Sequence, residues 1–284
     1  MTNKRQIVGA LAVCLAVVCG PWGLQAAAQT APTGETKGSA LKHTAQSAIG
    51  VVQGAQVALP ASVSGAVFVG AYRDAPQLAR TRVPVVVFLH GSSGLSLKAI
   101  TEWQTWLAGI GVASIAPDSF ALPDRLTYKS PISKAVYEQI HGLHASEIGM
   151  ALEALQSAPW ADTTRLVLAG TSEGAPSVAR HGGAQFIGRM LFAWSCEDNY
   201  FVEQHRTALV PNQAVLNIIS SVDPFFSSTN TWLGNAQAKG HCGEAFKSQA
   251  QTSVVLIPGA PHTLLNLPAA KHAVAGYVAA VLKP

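Results

Sequence analysis

The sequence predicts a single α/β domain built on a doubly wound, mostly parallel sheet with helices on both faces. Three observations carry that expectation. Short apolar runs, several of them β-branched and bounded by Gly or Pro, alternate with stretches of helical periodicity. Hydrophobic residues make up 49% of the 284 positions and charged residues 12%, enough to bury a large core. The chain also carries 25 Gly and 16 Pro, more turns than a helical bundle requires. No internal repeat and no second linker divides residues 50–284, so one domain over 49–284 is expected even though the length would allow two.

The elements follow in chain order. Lys4 and Arg5 precede an uncharged apolar run from Ile7 to Gly20, which Pro21 and Gly23 break. The run is short for a membrane span and suits the apolar part of a signal peptide. Ala26-Ala27-Ala28 supplies the small residues a signal peptidase cleaves after, so residues 1–28 read as a signal peptide. Val13 and Val18 stand before Cys14 and Cys19, where lipoprotein processing needs a small residue. The expected product is periplasmic or secreted, with no stable membrane association after cleavage. Residues 29–48, rich in Ala, Thr, Gly, Ser and Lys without apolar periodicity, read as a flexible leader.

Val51–Leu59 and Val63–Val69 read as antiparallel strands at one edge. Val85–Leu89 (VVVFL) is a fully buried strand, and Val112–Ile115, Leu166–Leu168, Met190–Ala193, Val215–Ile219 and Val254–Ile257 follow it. Helices are expected over Leu97–Leu107, along the stripe Val136, Ile140, Leu143, Ile148, Leu152 and Leu155, and over 267–282. His141, His144 and Glu147 fall three apart on the middle helix. That spacing drifts around the surface and is not a metal motif, so a solvated or packing face is expected there. His241 beside Cys242 makes two ligands, too few for a zinc site.

Nineteen Lys+Arg against fifteen Asp+Glu give +4, and that charge is scattered. A nucleic-acid groove is thereby excluded. Chemistry concentrates at the carboxyl ends of the expected strands. Gly170-Thr171-Ser172-Glu173-Gly174 is G-x-S-x-G, entered by the strand RLVLA and left by a helix-compatible stretch. A strand–strained turn–helix order holds a nucleophilic hydroxyl clear of the sheet. Ser172 is the candidate nucleophile. A serine hydroxyl is weak at neutral pH and needs a base, and the base needs an orienting acid. Asp223 (SVDPFF) and His262 (PGAPH) each follow a strand in the order Ser, acid, His. Asp198, Glu197 and Asp118 are weaker acids by position. An oxyanion would be met by the N–H of Glu173 and by that of Ser92, with Ser93 second, in the loop after VVVFL. His90 precedes that turn and reads as structural.

At these residues the chain resembles the α/β-hydrolase superfamily and, more narrowly, the dienelactone hydrolase family. The resemblance runs from about Val83 to the C-terminus, on FLHGSSG, APDSF, RLVLAGTSEG, the Asp223 loop and PGAPH. It implies an α/β-hydrolase fold, a Ser or Cys nucleophile with Asp and His, no metal or cofactor, and hydrolysis of a carboxylic ester or lactone. Founding members carry cysteine at the turn. Ser172 places this chain beside the serine-containing, exported relatives. The expected function is an exported serine hydrolase with a small-molecule ester or lactone substrate. A serine peptidase and a non-catalytic periplasmic binding protein on the same fold are the alternatives.

Three further expectations concern the surroundings of the site. In an oxidising compartment Cys196 and Cys242 should pair, pinning the Phe225–His241 segment. Asp118 and Arg125 should pair and order the loop after Val112–Ile115. Trp194, Tyr200, Phe201, Phe225, Phe226 and Trp232 either line an apolar pocket or pack ordinarily; Trp103 and Trp106 belong to the core.

Overall fold

The computed structural model describes residues 33–210 and 212–282. The expected signal peptide, residues 1–28, lies outside them. In chain order the strands are β1 (Thr36–Lys37), β2 (Gln56–Leu59), β3 (Phe68–Ala71), β4 (Val83–Leu89), β5 (Ala113–Ala116), β6 (Thr127–Tyr128), β7 (Ala161–Thr171), β8 (Phe186–Phe192), β9 (Ala214–Ser220) and β10 (Thr252–Ile257). The α-helices are α1 (Ala45–Gln53), α2 (Ala61–Ser64), α3 (Lys98–Gly109), α4 (Lys134–Ser157), α5 (Ala175–Arg180) and α6 (Pro268–Val281). Eight strands form one sheet in the order β10-β9-β8-β7-β4-β5-β2-β3. From β10 to β5 neighbouring pairs are parallel, and β2 alone runs antiparallel to both its neighbours.

All seven residues of β4 are buried, as a central strand covered on both faces requires. The pleat divides them. Val85, Val87 and Leu89 join one apolar cluster, and Val86 and Phe88 the other. On the second face α3 and α6 contribute Ile100, Trp103, Leu107 and Val274, all without solvent exposure. On the first face α4 and α5 contribute Tyr137, Ile140, Ile148 and Val178. Fully burying a side chain of this size contributes roughly 1.5–3 kcal/mol.

Two expectations need correction. Val51–Gln53 belongs to α1 and not to a strand. Gly54 ends that helix by donating its N–H to the Gly50 carbonyl at 2.8 Å. Pro60 and Gly65 (φ 99°) then delimit α2, which takes Val63 and Ser64 out of the second expected strand. The antiparallel edge survives as the pair β2–β3. The apolar runs there were shared between short helices and short strands, which periodicity cannot separate.

The expected leader, 29–48, is held from residue 34 onward. Gly34 donates to the Pro131 carbonyl at 2.8 Å, and β1 pairs with β6. Ser39 Oγ donates to Asp124 at 2.7 Å, and Leu126 N donates to the Ala40 carbonyl at 2.9 Å. Thr44 and Ser47 form a reciprocal capping box at the start of α1. The segment is ordered by backbone pairing and polar side chains, which hydrophobic periodicity does not report. Among the described residues no helix is long and apolar enough to cross a membrane.

Candidate active site

The turn after β7 is built as its glycines require. Ser172 sits at φ 51°, a left-handed conformation that costs a non-glycine residue energy and lifts its side chain off the sheet. A Cβ on Gly174 would meet Leu89 Cβ and the Leu89 carbonyl at 2.7 Å. One on Gly170 would stand 2.7 Å from Val178 Cγ2. The turn is therefore wedged against the end of β4 on one side and α5 on the other.

Asp223 lies just past β9 and His262 past β10, parallel neighbours that deliver both side chains to the end of the sheet where β7 delivers Ser172. His262 Nδ1 donates to Asp223 Oδ2 at 2.7 Å, leaving Nε2 to accept from Ser172 Oγ at 2.9 Å. Asp223 is fully buried, and its Oδ1 accepts the N–H groups of Phe225 (2.9 Å) and Phe226 (3.1 Å). Its carboxylate thus has little freedom except to orient the imidazole. The Phe225 ring packs edge-on to His262, centroids 4.6 Å apart. Ser220 Oγ ties the β9 end to the Ala260 carbonyl at 2.6 Å, fixing the loop that carries His262.

The rival acids are engaged elsewhere. Asp198 accepts from His205. Glu197 accepts the Lys239 and Gly240 amides. Asp118 accepts the Phe120 amide at 3.0 Å, and the expected Asp118–Arg125 pair is absent from the ion pairs among the described residues. Arg125 reaches Glu173 instead, because both side chains are buried together beneath the turn.

Ser172, His262, Ser92 and Ser93 open onto a cavity of about 290 Å³. One wall is aliphatic, from Leu97, Ile100 and Leu265. The other is aromatic, from Tyr128, Tyr200, Phe201, Phe225 and Phe226. Trp194 and Trp232 stand behind that wall, each at edge-on distance from a lining ring (Phe226 at 5.0 Å, Tyr200 at 4.5 Å). Of the six aromatics, four line the cavity and two back them. Trp103 is fully buried and Trp106 partly so. Cys196 and Cys242 form a disulfide closing a sequence separation of 46. Asn217 of β9 seats that bridge, accepting from Cys242 N at 3.0 Å and donating to the Trp194 carbonyl at 3.0 Å.

His90 is buried and structural. Its Nδ1 donates to the Gly91 carbonyl at 2.7 Å, and its Nε2 accepts the Ser119 amide at 3.2 Å. Burial, and then the charge of His144, lower its pKa to about 4, so it is neutral. His144 and Glu147 are not solvated: both are fully buried. His144 Nε2 donates to Glu173 at 2.9 Å and Nδ1 to Glu147 at 2.9 Å. His43 Nε2 donates to Glu147 at 3.0 Å. Burial alone would lower the His144 pKa, but the Glu147 and Glu173 carboxylates outweigh it and lift it to about 9. Burial would likewise raise the Glu173 pKa, while the hydrogen bond from His144 and the Arg125 charge hold it down at about 2.

No family model matches the chain, and no curated protein does. Solved structures do. A Klebsiella pneumoniae protein with a provisional dienelactone hydrolase name aligns with a TM-score of 0.50 at 15% identity, over 74% of this chain and 90% of that one. A lidless α/β serine hydrolase from Xanthomonas campestris gives 0.49 at 16% identity, over 87% and 95%. A cold-adapted esterase from an Arctic intertidal metagenomic library gives 0.47 at 15% identity, over 81% and 95%. At this identity the likeness concerns the fold, and the chain has the α/β-hydrolase fold.

Proposed function

We propose that the chain is an exported serine hydrolase of the dienelactone hydrolase-like kind, acting on a carboxylic ester or lactone. One observation carries the reading: the unbroken hydrogen-bond chain Ser172–His262–Asp223 opening onto a largely apolar cavity. His262 Nε2 takes the Ser172 proton as Oγ attacks the carbonyl carbon. Asp223 holds the Nδ1–H tautomer and stabilises the imidazolium that forms. The oxyanion is assigned to the N–H groups of Glu173, in the turn, and Ser92, in the loop after β4 that lines the same cavity. His262 then returns its proton to the leaving alkoxide. Water, deprotonated by the same imidazole, attacks the acyl-enzyme and regenerates the Ser172 hydroxyl.

The acyl-enzyme makes the test direct. A fluorophosphonate probe should label Ser172 in the purified protein, and Ser172→Ala should lower kcat on a p-nitrophenyl ester by about 10³-fold or more while leaving thermal unfolding unchanged. Labelling at another residue, or undiminished turnover in the variant, would sink the assignment. Absence of label together with absence of turnover on alkyl, aryl and lactone esters would favour a binding protein.

A further inference from the structure

The residue after the nucleophile has a side chain that the reaction does not use. Glu173 is fully buried, is gripped by the Arg125 guanidinium and accepts from His144 Nε2 at 2.9 Å. Behind it the chain of contacts continues through Glu147 (2.9 Å) to His43 (3.0 Å). His144 donates from both ring nitrogens, which makes it a cation. Two carboxylates and two cations are thus sealed beneath one turn. Such a group is poor value for stability alone, because removing four charges from water costs several kcal/mol per ion and apolar replacements are often neutral or better. Its placement is what distinguishes it. The Glu173 amide is one of the two N–H groups proposed to face the oxyanion, and its neighbour Ser172 holds a strained conformation that persists only where surrounding contacts over-determine it.

The outer link is as specific. His43 is buried against Glu147, with a side-chain exposure of 3%, and its Nδ1 accepts from Ser47 Oγ at 3.3 Å, inside the capping box of α1. The same stretch reaches the cavity by a second route, since β1 pairs with β6 and Tyr128 of β6 lines the aromatic wall.

We propose that Glu173 is a positioning residue for the oxyanion-facing peptide, held by Arg125 and by the buried chain His144–Glu147–His43, through which the segment 34–47 supports the nucleophile turn. This rests on the serine hydrolase reading above. None of Glu173, Arg125, His144, Glu147 and His43 lines the cavity, so the device acts on the transition state more than on substrate binding.

The experiment compares Glu173→Gln, His43→Ala and His43→Gln with the unaltered protein, measuring kcat and KM on a p-nitrophenyl ester together with thermal unfolding. Glu173→Gln should lower kcat by about 10- to 100-fold with KM within about twofold, the size expected when a catalytic group is displaced by a fraction of an ångström to an ångström. His43→Ala should lower kcat by about 3- to 10-fold at unchanged KM, and His43→Gln, which keeps a donor toward Glu147, should restore most of it. Should Glu173→Gln not fold, the His43 pair decides alone. A His43→Ala enzyme that unfolds at lower temperature but keeps its kcat has lost a structural contact only, and the inference is overturned. A raised KM with intact kcat overturns it equally, by making the chain a binding element. Fluorophosphonate labelling of the unaltered protein separates the two levels. If Ser172 labels and the variants turn over normally, only the positioning role fails; if Ser172 neither labels nor turns over, both readings fail.

Discussion

The two faces of the sheet are built on different physics. The face carrying α3 and α6 is an apolar layer in which Trp103, Phe88 and Phe192 interlock at centroid distances of 5.0 and 5.5 Å. The face carrying α4 also has an apolar layer, but near the end that carries Ser172 its core is interrupted by Arg125, His144, Glu147 and Glu173. The α3/α6 face has buried polar contacts between neutral groups, such as Gln104 Nε2 donating to Ser114 Oγ at 3.0 Å, and otherwise needs volume and shape. The α4 face needs each charge to have its partner, so it tolerates far less change. The difference shows where this molecule places its buried network of ion pairs: directly under the turn that presents Ser172.

Removing one partner of the buried charges tests that contrast most severely. His144→Ala leaves two carboxylates short of a cation and should cost about 3–5 kcal/mol in urea unfolding. A cost near 1 kcal/mol would mean that the charges are relieved by water and that the faces are alike. Replacing Cys196 and Cys242 together by Ala should cost roughly 3–4 kcal/mol by freeing a loop of this length. Because the bridge stands behind the aromatic wall, KM should rise more than kcat falls, as steady-state kinetics would report.

The third measurement is pH dependence. The folded-state pKa of His144, about 9, lies above its ordinary 6.5. Its contribution to stability is therefore complete below about pH 6.5 and is lost as pH rises through 9. The urea midpoint of the unaltered protein should fall between pH 7 and 9.5, and that of His144→Ala should fall less. Identical profiles would show that the imidazole is not charged. The smallest effect belongs to the apolar face: Ile218→Val should cost about 1 kcal/mol and leave the pH profile unaltered.

Legibility in the sequence followed the same division. The helices over Leu97–Leu107 and 267–282, and the strands from Val85 to Ile257, announce themselves through apolar periodicity, because their partners are apolar. Ser172, Asp223 and His262 were readable because each lies where a strand ends. On the charged face, what the sequence left open or missed has one cause. For the stripe of His141, His144 and Glu147 the sequence leaves a solvated or a packing face open, and all three are packed and buried. Residues 34–47 look like free chain only if they have nothing to cover. Each segment is polar because the other is, with His43 meeting Glu147 at 3.0 Å. Periodicity read one segment at a time cannot register complementarity between two. The short runs around Val51 and Val63 failed for a simpler reason: they are too brief for period alone to separate helix from strand.

That pairing joins positions 104 residues apart. During synthesis the residue made first must wait, solvated, until its counterpart has emerged and α4 has settled on the sheet. Closing so wide a loop gains nothing until the distant contact forms. Nascent chains halted short of Glu147 should leave their leading stretch open to proteases, and acquire resistance there only once that glutamate is in place.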